Sequence, residues 1–387
     1  MGGVSMETYK LSDLCEILDA KRKPLSALQR TKKQGIYPYY GAQGIIDHLD
    51  DYLLDGEYLL VAEDGANLET RNQPIANIAK GKIWVNNHAH VLGSNGKCPL
   101  NLLGFILNNM NISPYVTGCA QPKLNQENLR NIEIELPSHI DRIASILSSL
   151  DRKIELNNKI NADLEEMAQA IFKNWFVDFE PFKDGKFVDS ELGMIPEGWK
   201  VGRLTEIASY MNGLAMQKFP PENNEDSLPV LKIKELGQEF CGTDSDRCSC
   251  NIKNECKIHN GDVIFSWSGT LLVDVWCGGD CGLNQHLFKV TSKDYPKWFY
   301  YYWTKHHLQE FIHIAKDKAV TMGHIKRGHL EAALVAIPDD DSMEKANELF
   351  EPILSKFISL RLENSRLSLL RDTLLPRLMS GEIEVPE

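Results

Sequence analysis

From residue 143 onward, apolar side chains recur every seven positions. Ile143, Leu150, Leu164 and Ile171 form one line, Leu147, Ile154, Ala168 and Trp175 a second, and Asn157 and Asn161 interrupt them, one in each. The C-terminal stretch repeats the pattern, with Ile353, Leu360, Leu367 and Leu374 set against Phe350, Phe357, Asn364 and Leu378. Sustained heptads of this kind predict two long helices with coiled-coil seams. One such helix cannot bury its stripe alone. The economical arrangement packs the two antiparallel, each shielding the other's apolar line, with buried asparagines fixing the register at some cost in stability. The competing arrangement lays each helix on its own neighbouring domain.

Outside these helices the pattern changes. Short apolar runs such as Tyr58–Ala62, Val263–Phe265 and Ala333–Ile337 are bounded by Gly, Asp, Asn and Pro, and read as strands between irregular polar loops. Leu102–Asn109 and Trp298–Lys316 read as helices. The chain also repeats itself. Tyr9-Lys10, Leu14, Glu16 and Ile17 return as Trp199-Lys200, Leu204, Glu206 and Ile207, and Asn86-Asn87-His88 returns as Asn284-Gln285-His286. Lys123-Leu124, Leu129 and Leu136-Pro137 match His324-Ile325, Leu330 and Ile337-Pro338, and Ile146-Leu147 and Asn158 match Ile353-Leu354 and Asn364. The offset rises from 190 at the first landmark to 207 at the last, as insertions collecting in loops would produce. A unit of this length is too long for a solenoid repeat. The expected architecture is therefore a duplicated α/β (α+β) body, joined by two long helices packed as an antiparallel coiled coil.

Composition narrows the class without deciding it. With 387 residues, 43% hydrophobic and 25% charged, the chain is globular and neither disordered nor fibrous. No apolar run approaches the ~18–20 residues of a membrane span, and no basic segment leads into an apolar leader. A soluble, cytoplasmic chain with no membrane partner is expected, with Met6 as a second candidate start. The net charge of −12, from 42 Lys and Arg against 54 Asp and Glu, argues mildly against nucleic acid unless basic residues cluster locally. Nine cysteines lack a disulfide-framework spacing and read as reduced thiols.

Several segments carry a resemblance. Pro38-Tyr39-Tyr40-Gly41-Ala42 with Gly44-Ile45-Ile46-Asp47, then Ala62-Glu63-Asp64-Gly65-Ala66-Asn67-Leu68, lie in the first body. Ile195-Pro196-Glu197-Gly198-Trp199 opens the second, which carries Gly261-Asp262, Phe265-Ser266-Trp267-Ser268-Gly269-Thr270-Leu271 and Leu283-Asn284-Gln285-His286-Leu287-Phe288-Lys289-Val290. The central helix exits through Asn174-Trp175-Phe176-Val177-Asp178-Phe179, and the chain ends Leu374-Leu375-Pro376-Arg377-Leu378-Met379-Ser380-Gly381-Glu382-Ile383. Together, and over essentially the whole chain, these resemble the specificity subunit of type I restriction-modification systems. The resemblance implies two target-recognition domains, residues 1–140 and 183–340, each reading one half of a bipartite site on double-stranded DNA. It implies helical spacers at 141–182 and 341–387 that set the gap and dock methyltransferase subunits, and through them restriction and translocase subunits. Ile143, Leu150, Ile154, Asn157, Asn161, Leu164, Trp175, Phe176, Ile353, Phe357, Leu360, Asn364, Leu367 and Leu374 would build that spacer. A helix of about 34 residues spans roughly 50 Å at ~1.5 Å per residue, more than one ~34 Å turn of DNA.

Candidate DNA contacts follow from chemistry: Lys and Arg hold phosphates, while amides and hydroxyls suit base edges. Lys21, Arg22, Lys23, Arg30, Lys32 and Lys33 place six positive charges in 13 residues without an acid, which suits backbone tracking as well as it suits a solvated loop. Tyr39, Tyr40, Gln43 and Lys123 join them in the first body. In the second, Lys232 and Lys234 precede a polar insertion, and Lys316, Lys318, His324, Lys326 and Arg327 form a smaller basic group. Ser266, Ser268 and Thr270 supply hydroxyls beside Asn284-Gln285-His286. Both bodies keep an Asn-x-His, which favours an internal capping role for it, since the two bodies should read different bases. The same holds for Glu63-Asp64-Gly65. Specificity is expected where the copies differ most, at residues 18–45, 64–75 and 212–260.

Cys241, Cys248, Cys250, Cys256, Cys277 and Cys281, with His259, lack the paired spacing of common zinc sites; His88-Ala89-His90 and His306-His307 are weaker metal candidates still. No metal site is expected. No phosphate-binding glycine loop, dinucleotide fingerprint, amino-methyltransferase signature or nucleophile elbow occurs. The chain is expected to be non-catalytic and to have no cofactor of its own, with S-adenosylmethionine, ATP and Mg belonging to partner subunits. A duplicated coiled-coil scaffold binding protein or carbohydrate is the alternative. A fused methyltransferase-nuclease is disfavoured. Apolar helix faces left bare would favour self-association of the isolated chain.

Overall fold

The computed structural model describes residues 6–118, 121–137, 140–222, 226–242, 244–317 and 323–383. They form two compact units, Met1–Lys153 with Leu367–Glu387, and Ile154–Arg366. Two long helices, Ile140–Phe176 and Asp340–Met379, contribute turns to both. Among the described residues, no helix is long and apolar enough to cross a membrane.

In the first unit a six-stranded sheet runs in the order Cys15–Ile17, Ala89–Ser94, Leu54–Ala62, Ala76–Val85, Gln34–Gly41, Gly44–Leu49. Pairing is antiparallel except where Tyr39 and Tyr40 run parallel to Trp84 and Val85. Val61, Leu59 and Leu92 bury one face beneath the helix Leu100–Asn109, whose Gly104 leaves room for Leu59. A separate antiparallel pair, Met6–Lys10 with Glu133–Pro137, leads into the long helices. The second unit repeats this plan. Ser209–Asn212, Leu287–Thr291, Val263–Ser266 and Leu272–Val275 form its main sheet, and Lys200–Arg203 pairs with Leu334–Ile337. It adds a second four-stranded sheet, which contains the paired strands Arg247–Ser249 and Ser227–Leu231, and a hairpin of Phe187–Ser190 with Gly193–Pro196. The predicted helix over 298–316 is two helices, Lys297–His306 and Leu308–Asp317, and every residue from Trp298 to Thr304 is buried.

The duplication is real, but its first landmark needs correction. Lys10 pairs with Glu133 as Arg203 pairs with Leu334, and the amide of each is bonded by an acid three residues on, Asp13 or Glu206, at 3.2 Å. Lys10 therefore corresponds to Arg203, three residues beyond the Lys200 match expected from sequence. Apolar residues one helical turn apart make registers shifted by three look alike.

Within each unit the two long helices run antiparallel. In the second, Asn157 Nδ2 donates to Asn364 Oδ1 and Glu363, each at 2.9 Å, Asn364 Nδ2 donates to Asn158 Oδ1 at 2.7 Å, and Phe172 meets Phe350 edge-on at 6.3 Å. In the first, Arg371 donates to Asp151 at 2.9 Å, and Ile143 and Leu147 share a core with Leu375 and Leu378. The buried line drifts off the strict heptad: Phe172 and Phe176 are buried where Ile171 and Trp175 are half-buried, and Leu354 is buried where Ile353 is half-buried. A helix of 3.6 residues per turn advances against a seven-residue repeat by about 20° per heptad, which moves the seam by one residue over this length. The alternative of helices lying on their own domains holds in part, because the helix ends complete the body cores. Phe176 packs against Trp199, Trp298, Phe299 and Trp303, and Phe350 stacks on Trp298 at 4.5 Å.

One ion pair ties the C-terminal helix to the second unit's sheet. Buried Arg361 makes two bonds to Asp274, at 2.8 and 2.9 Å, a third to the Val275 carbonyl at 2.9 Å, and pairs with Glu239 at 2.8 Å. Arg361→Met leaves Asp274 poorly hydrated without its partner, and should destabilise the unit by about 3 kcal/mol, read as a lower urea midpoint. Adding Asp274→Leu should recover most of the loss. Equal losses in the single and double variants would exclude this account.

Candidate nucleic-acid interface

Both units build the same backbone frame at the end of a central strand. In the first, Glu63–Gly65 follows Leu54–Ala62; the Gly65 amide donates to Pro122 O at 3.1 Å and the Leu124 amide to Glu63 O at 2.8 Å. In the second, Trp267–Gly269 follows Val263–Ser266; the Gly269 amide donates to Gly323 O at 2.9 Å and the Ile325 amide to Trp267 O at 3.1 Å. Gly65 and Gly269 take φ of 110° and 66°, a region that an L side chain enters at a cost. Beside each turn sits the repeated Asn-x-His. Asn86 Oδ1 accepts from the His88 amide at 2.8 Å and Asn284 Oδ1 from the His286 amide at 3.2 Å. The His88 ring reaches Asp64 at 2.7 Å, and the His286 ring reaches Ser268 Oγ at 3.1 Å. These motifs hold the frame. What differs is the set of side chains placed on it: Asp19, Glu63, His90 and Lys123 in the first unit stand where Asn212, Trp267, Phe288 and His324 stand in the second.

In the first unit those residues close on one another. Buried His90 has Nδ1 2.6 Å from Asp19 and Nε2 2.7 Å from the Leu124 carbonyl. Arg22 donates to Glu63 at 2.5 Å and to the Ala89 carbonyl at 3.0 Å, and lies 3.2 Å from Asp19; Lys123 lies 3.2 Å from Glu63, and Gln126 donates to Asp19 at 3.0 Å. Burial opposes ionisation of Asp19, yet the His90 hydrogen bond and charge, the Val91 amide and Arg22 outweigh it and hold the carboxyl below its ordinary value. Glu63 is lowered likewise, burial being outweighed by Arg22, His90 and Lys123. Ligand atoms of Asp19, Glu63 and His90 lie within 4.8 Å of one another, but Arg22 and Lys123 already supply the positive charge that a metal ion would bring.

The remaining first-unit candidates divide by exposure. Arg30 is half-buried, bonded to Asp47 at 2.9 Å and to the Leu25 carbonyl at 3.0 Å, with its guanidinium over Tyr39. Tyr39 is buried, its hydroxyl accepting from the Leu25 amide at 2.9 Å, so it presents no side-chain surface to a ligand. Tyr40 is half-buried, Gln43 is exposed on the turn between Gly41 and Gly44, and Lys33 pairs with Asp50 at 3.4 Å. Lys21, Lys23 and Lys32 are exposed and make no ion pair among the described residues. In the 64–75 segment, left-handed Arg71 donates to the carbonyls of Leu107, Asn108 and Met110, which pins this loop to the end of a helix.

In the second unit the equivalent place is open. A cleft of about 850 Å³ has Asn212, Trp267, Phe288, Lys293, His324, Lys326 and Arg327 among its lining residues. A smaller hollow of about 400 Å³ gathers Lys232, Lys234, Asn284, Gln285 and His286. Lys234 pairs with Asp244 at 2.6 Å and Lys232 with Asp246. Ser266 is fully buried and donates to the Thr270 carbonyl at 2.7 Å, so its hydroxyl is spent inside the turn, whereas Thr270 is exposed. Lys316 is exposed; Lys318 lies outside the described residues. Cys248 and Cys256 sit in one small apolar cluster and Cys281 in another, and among the described residues no three ligand atoms from this cysteine-rich stretch converge. Sequence reasoning did not single out Asp19 or Asn212 within the 18–45 and 212–260 segments, weighed His90 only as a weak metal candidate, and gave no role to Trp267 and Phe288. The match of Asp64-Gly65 with Ser268-Gly269 would have aligned the two turns and exposed the exchange.

Two stretches, residues 3–166 and 196–370, match the type I restriction modification DNA specificity domain. The chain belongs to this family. It is 31% identical over 288 residues to the type I restriction enzyme MjaIX specificity subunit of Methanocaldococcus jannaschii, covering 70% of this chain and 65% of that one, just under two thirds of its length. It is 22% identical over 327 residues to the HindI specificity subunit of Haemophilus influenzae, covering 68% and 71%. The crystal structure of a type I restriction-modification S subunit from M. genitalium shares the fold, with a TM-score of 0.53 at 14% identity over 100% of this chain and 98% of that one. Nothing in these comparisons supports the carbohydrate- or protein-binding scaffold. Two family domains joined by long helices are what the duplicated architecture contains.

The Asp19 network carries a pH prediction. A carboxyl held below its ordinary value stabilises the fold above about pH 4, and that contribution is lost as pH falls through the folded value. Asp19→Asn should therefore cost about 2 kcal/mol at pH 7 in denaturant unfolding, with the difference from wild type closing as the pH falls below about 4. A deficit that is constant with pH would show that the charge plays no part.

Proposed function

We propose that the chain is the DNA-recognition subunit of a type I restriction-modification complex. Each body reads one half of a bipartite duplex target. The helical spacers set the unread gap and dock methyltransferase subunits, through which restriction and translocase subunits are reached. Methyl transfer to adenine, which requires the base to leave the stack, and ATP- and Mg-dependent translocation and cleavage are supplied by those partners. The observation that carries this reading is one backbone frame built twice with unlike side chains on it, which is what two readers of different half-sites need. Family membership supports it. The long helices, 37 and 40 residues, measure roughly 55 and 60 Å at ~1.5 Å per residue, enough to pass one ~34 Å turn of DNA.

Exchange of residues 6–140 for those of a relative should change one half of the methylated site and leave the other intact, seen by mapping methylated adenines in a host genome. A change in both halves, or in neither, would defeat the modular reading. Lys21 and Lys32 test the electrostatic part. Their joint replacement by Ala should weaken binding of the assembled methyltransferase to all duplexes alike. It should also lower the slope of log K against log salt by about 2, one for each phosphate left without its lysine. A change confined to one target sequence would instead place them at base edges.

A further inference from the structure

The second unit's cleft has a composition its counterpart lacks, and we propose that it binds a nucleotide: a flat base against Trp267 and Phe288, with its phosphate toward Lys326, Arg327 and Lys293. The first support is substitution on a common frame. Where the first unit fills this place with the Asp19–His90–Glu63–Arg22 network, the second has Asn212, Phe288 and Trp267 and leaves about 850 Å³ open, within the range of small-ligand sites. The second is an unspent donor. Trp267 lines the cleft, and its indole Nε1 is buried with no hydrogen-bond partner among the described residues. A buried N–H without an acceptor is uncommon in folded proteins, and a small turn of the ring toward the cleft would bring it to an acceptor on a base edge.

The third is the pairing of aromatic and basic groups. Trp267 packs 5.8 Å from Phe288 and 5.9 Å from His286, with His324 edge-on at 6.4 Å. Arg327 pairs only loosely with exposed Glu331, at 3.8 Å, and Lys293 and Lys326 make no ion pair among the described residues. An aromatic wall beside cations is how proteins hold a base and its phosphate together without reading a sequence. Glu206 and Asp294 also line the cleft and would disfavour a ligand of high negative charge, which points to a monophosphate over a triphosphate. The source of the nucleotide is either an extrahelical residue of the bound duplex, which rests on the DNA reading above, or a free mononucleotide, which does not.

Calorimetric titration of the full chain with the four deoxynucleoside monophosphates, and separately with inorganic phosphate, tests the site. Saturable binding of at least one nucleotide is expected. It should be weakened about tenfold by Trp267→Phe, which keeps an aromatic ring and removes the donor, while phosphate alone binds far more weakly. In the assembled methyltransferase, duplexes carrying 2-aminopurine at successive positions distinguish the sources. A fluorescence rise at one position, lost in Trp267→Phe, identifies an extrahelical base; mononucleotide binding without such a rise identifies a free ligand. If neither signal appears, or if phosphate binds as well as the nucleotides and Trp267→Phe changes nothing, the proposal fails. Mononucleotide binding by a chain whose complex ignores DNA would leave the cleft standing and remove the DNA reading instead.

Discussion

An α-helix with a single apolar line is unstable in water until something covers that line, and two such helices in one chain can cover each other. This constraint organises the molecule. Phe172, Phe176, Phe350 and Leu354 lie on it in the second unit, and Ile143, Leu147, Leu375 and Leu378 in the first. Each buried side chain of this size contributes about 2 kcal/mol by leaving water, which offsets part of the cost of ordering the helix. The polar layer of Asn157, Asn158 and Asn364 works against that gain and yet specifies it. A helix slipped by one turn would leave Asn157 buried among apolar groups without its amide partner. Turns of both helices complete the core around Leu129 in the first unit, and other turns of both complete the core around Trp298 in the second, so each body is folded onto its share of both helices.

The candidate interface follows a related economy. Its frame is made of main-chain hydrogen bonds, a left-handed glycine and an Asx turn, all of which are indifferent to the side chains set on it. Those positions can then change wholesale. In the first unit they have become an ionic network in which every charge has a partner, the condition under which burying charges is tolerable. In the second they have become an aromatic cleft with a donor left over. Half-satisfied networks are costly, so exchanging one solution for the other requires several residues to change together.

How much of the fold was legible in the sequence depended on the reach of each signal. The helices were legible because a periodic pattern over four to five heptads averages out local accidents, and their seam was misplaced by one residue because a real helix does not keep a period of seven. The repeat was legible at Asn86 and Asn284, where one short polar motif has a single geometric purpose. It was misread at Tyr9 and Trp199, where an apolar residue per turn admits two registers. The break at His307 was invisible, since no Gly or Pro marks it and the helices on both sides have buried faces. Within the interface, a run of basic residues said nothing about which would find acids. Lys21 and Lys32 remain in solvent, whereas Arg22 is drawn inside by Glu63 and Asp19, and those acids lie too far along the chain or in too ordinary a context to be noticed.

Arg361 shows how the C-terminal helix and the main sheet are joined in the second unit. Its partners are not neighbours in sequence: Asp274 lies on an edge strand of the main sheet, and Glu239 is the left-handed residue that ends the helix Ile233–Gln238, inside the segment where the two bodies diverge most. A guanidinium has donors in a fixed fork, so its bidentate grip on Asp274 fixes orientation as well as distance. Turning the C-terminal helix about its axis would either break those bonds or carry the strand and the loop with it. Breaking them leaves charges in a place too dry to hydrate them. The C-terminal helix and the divergent segment are thus constrained to move together, and a change in either is felt by the other through a single side chain.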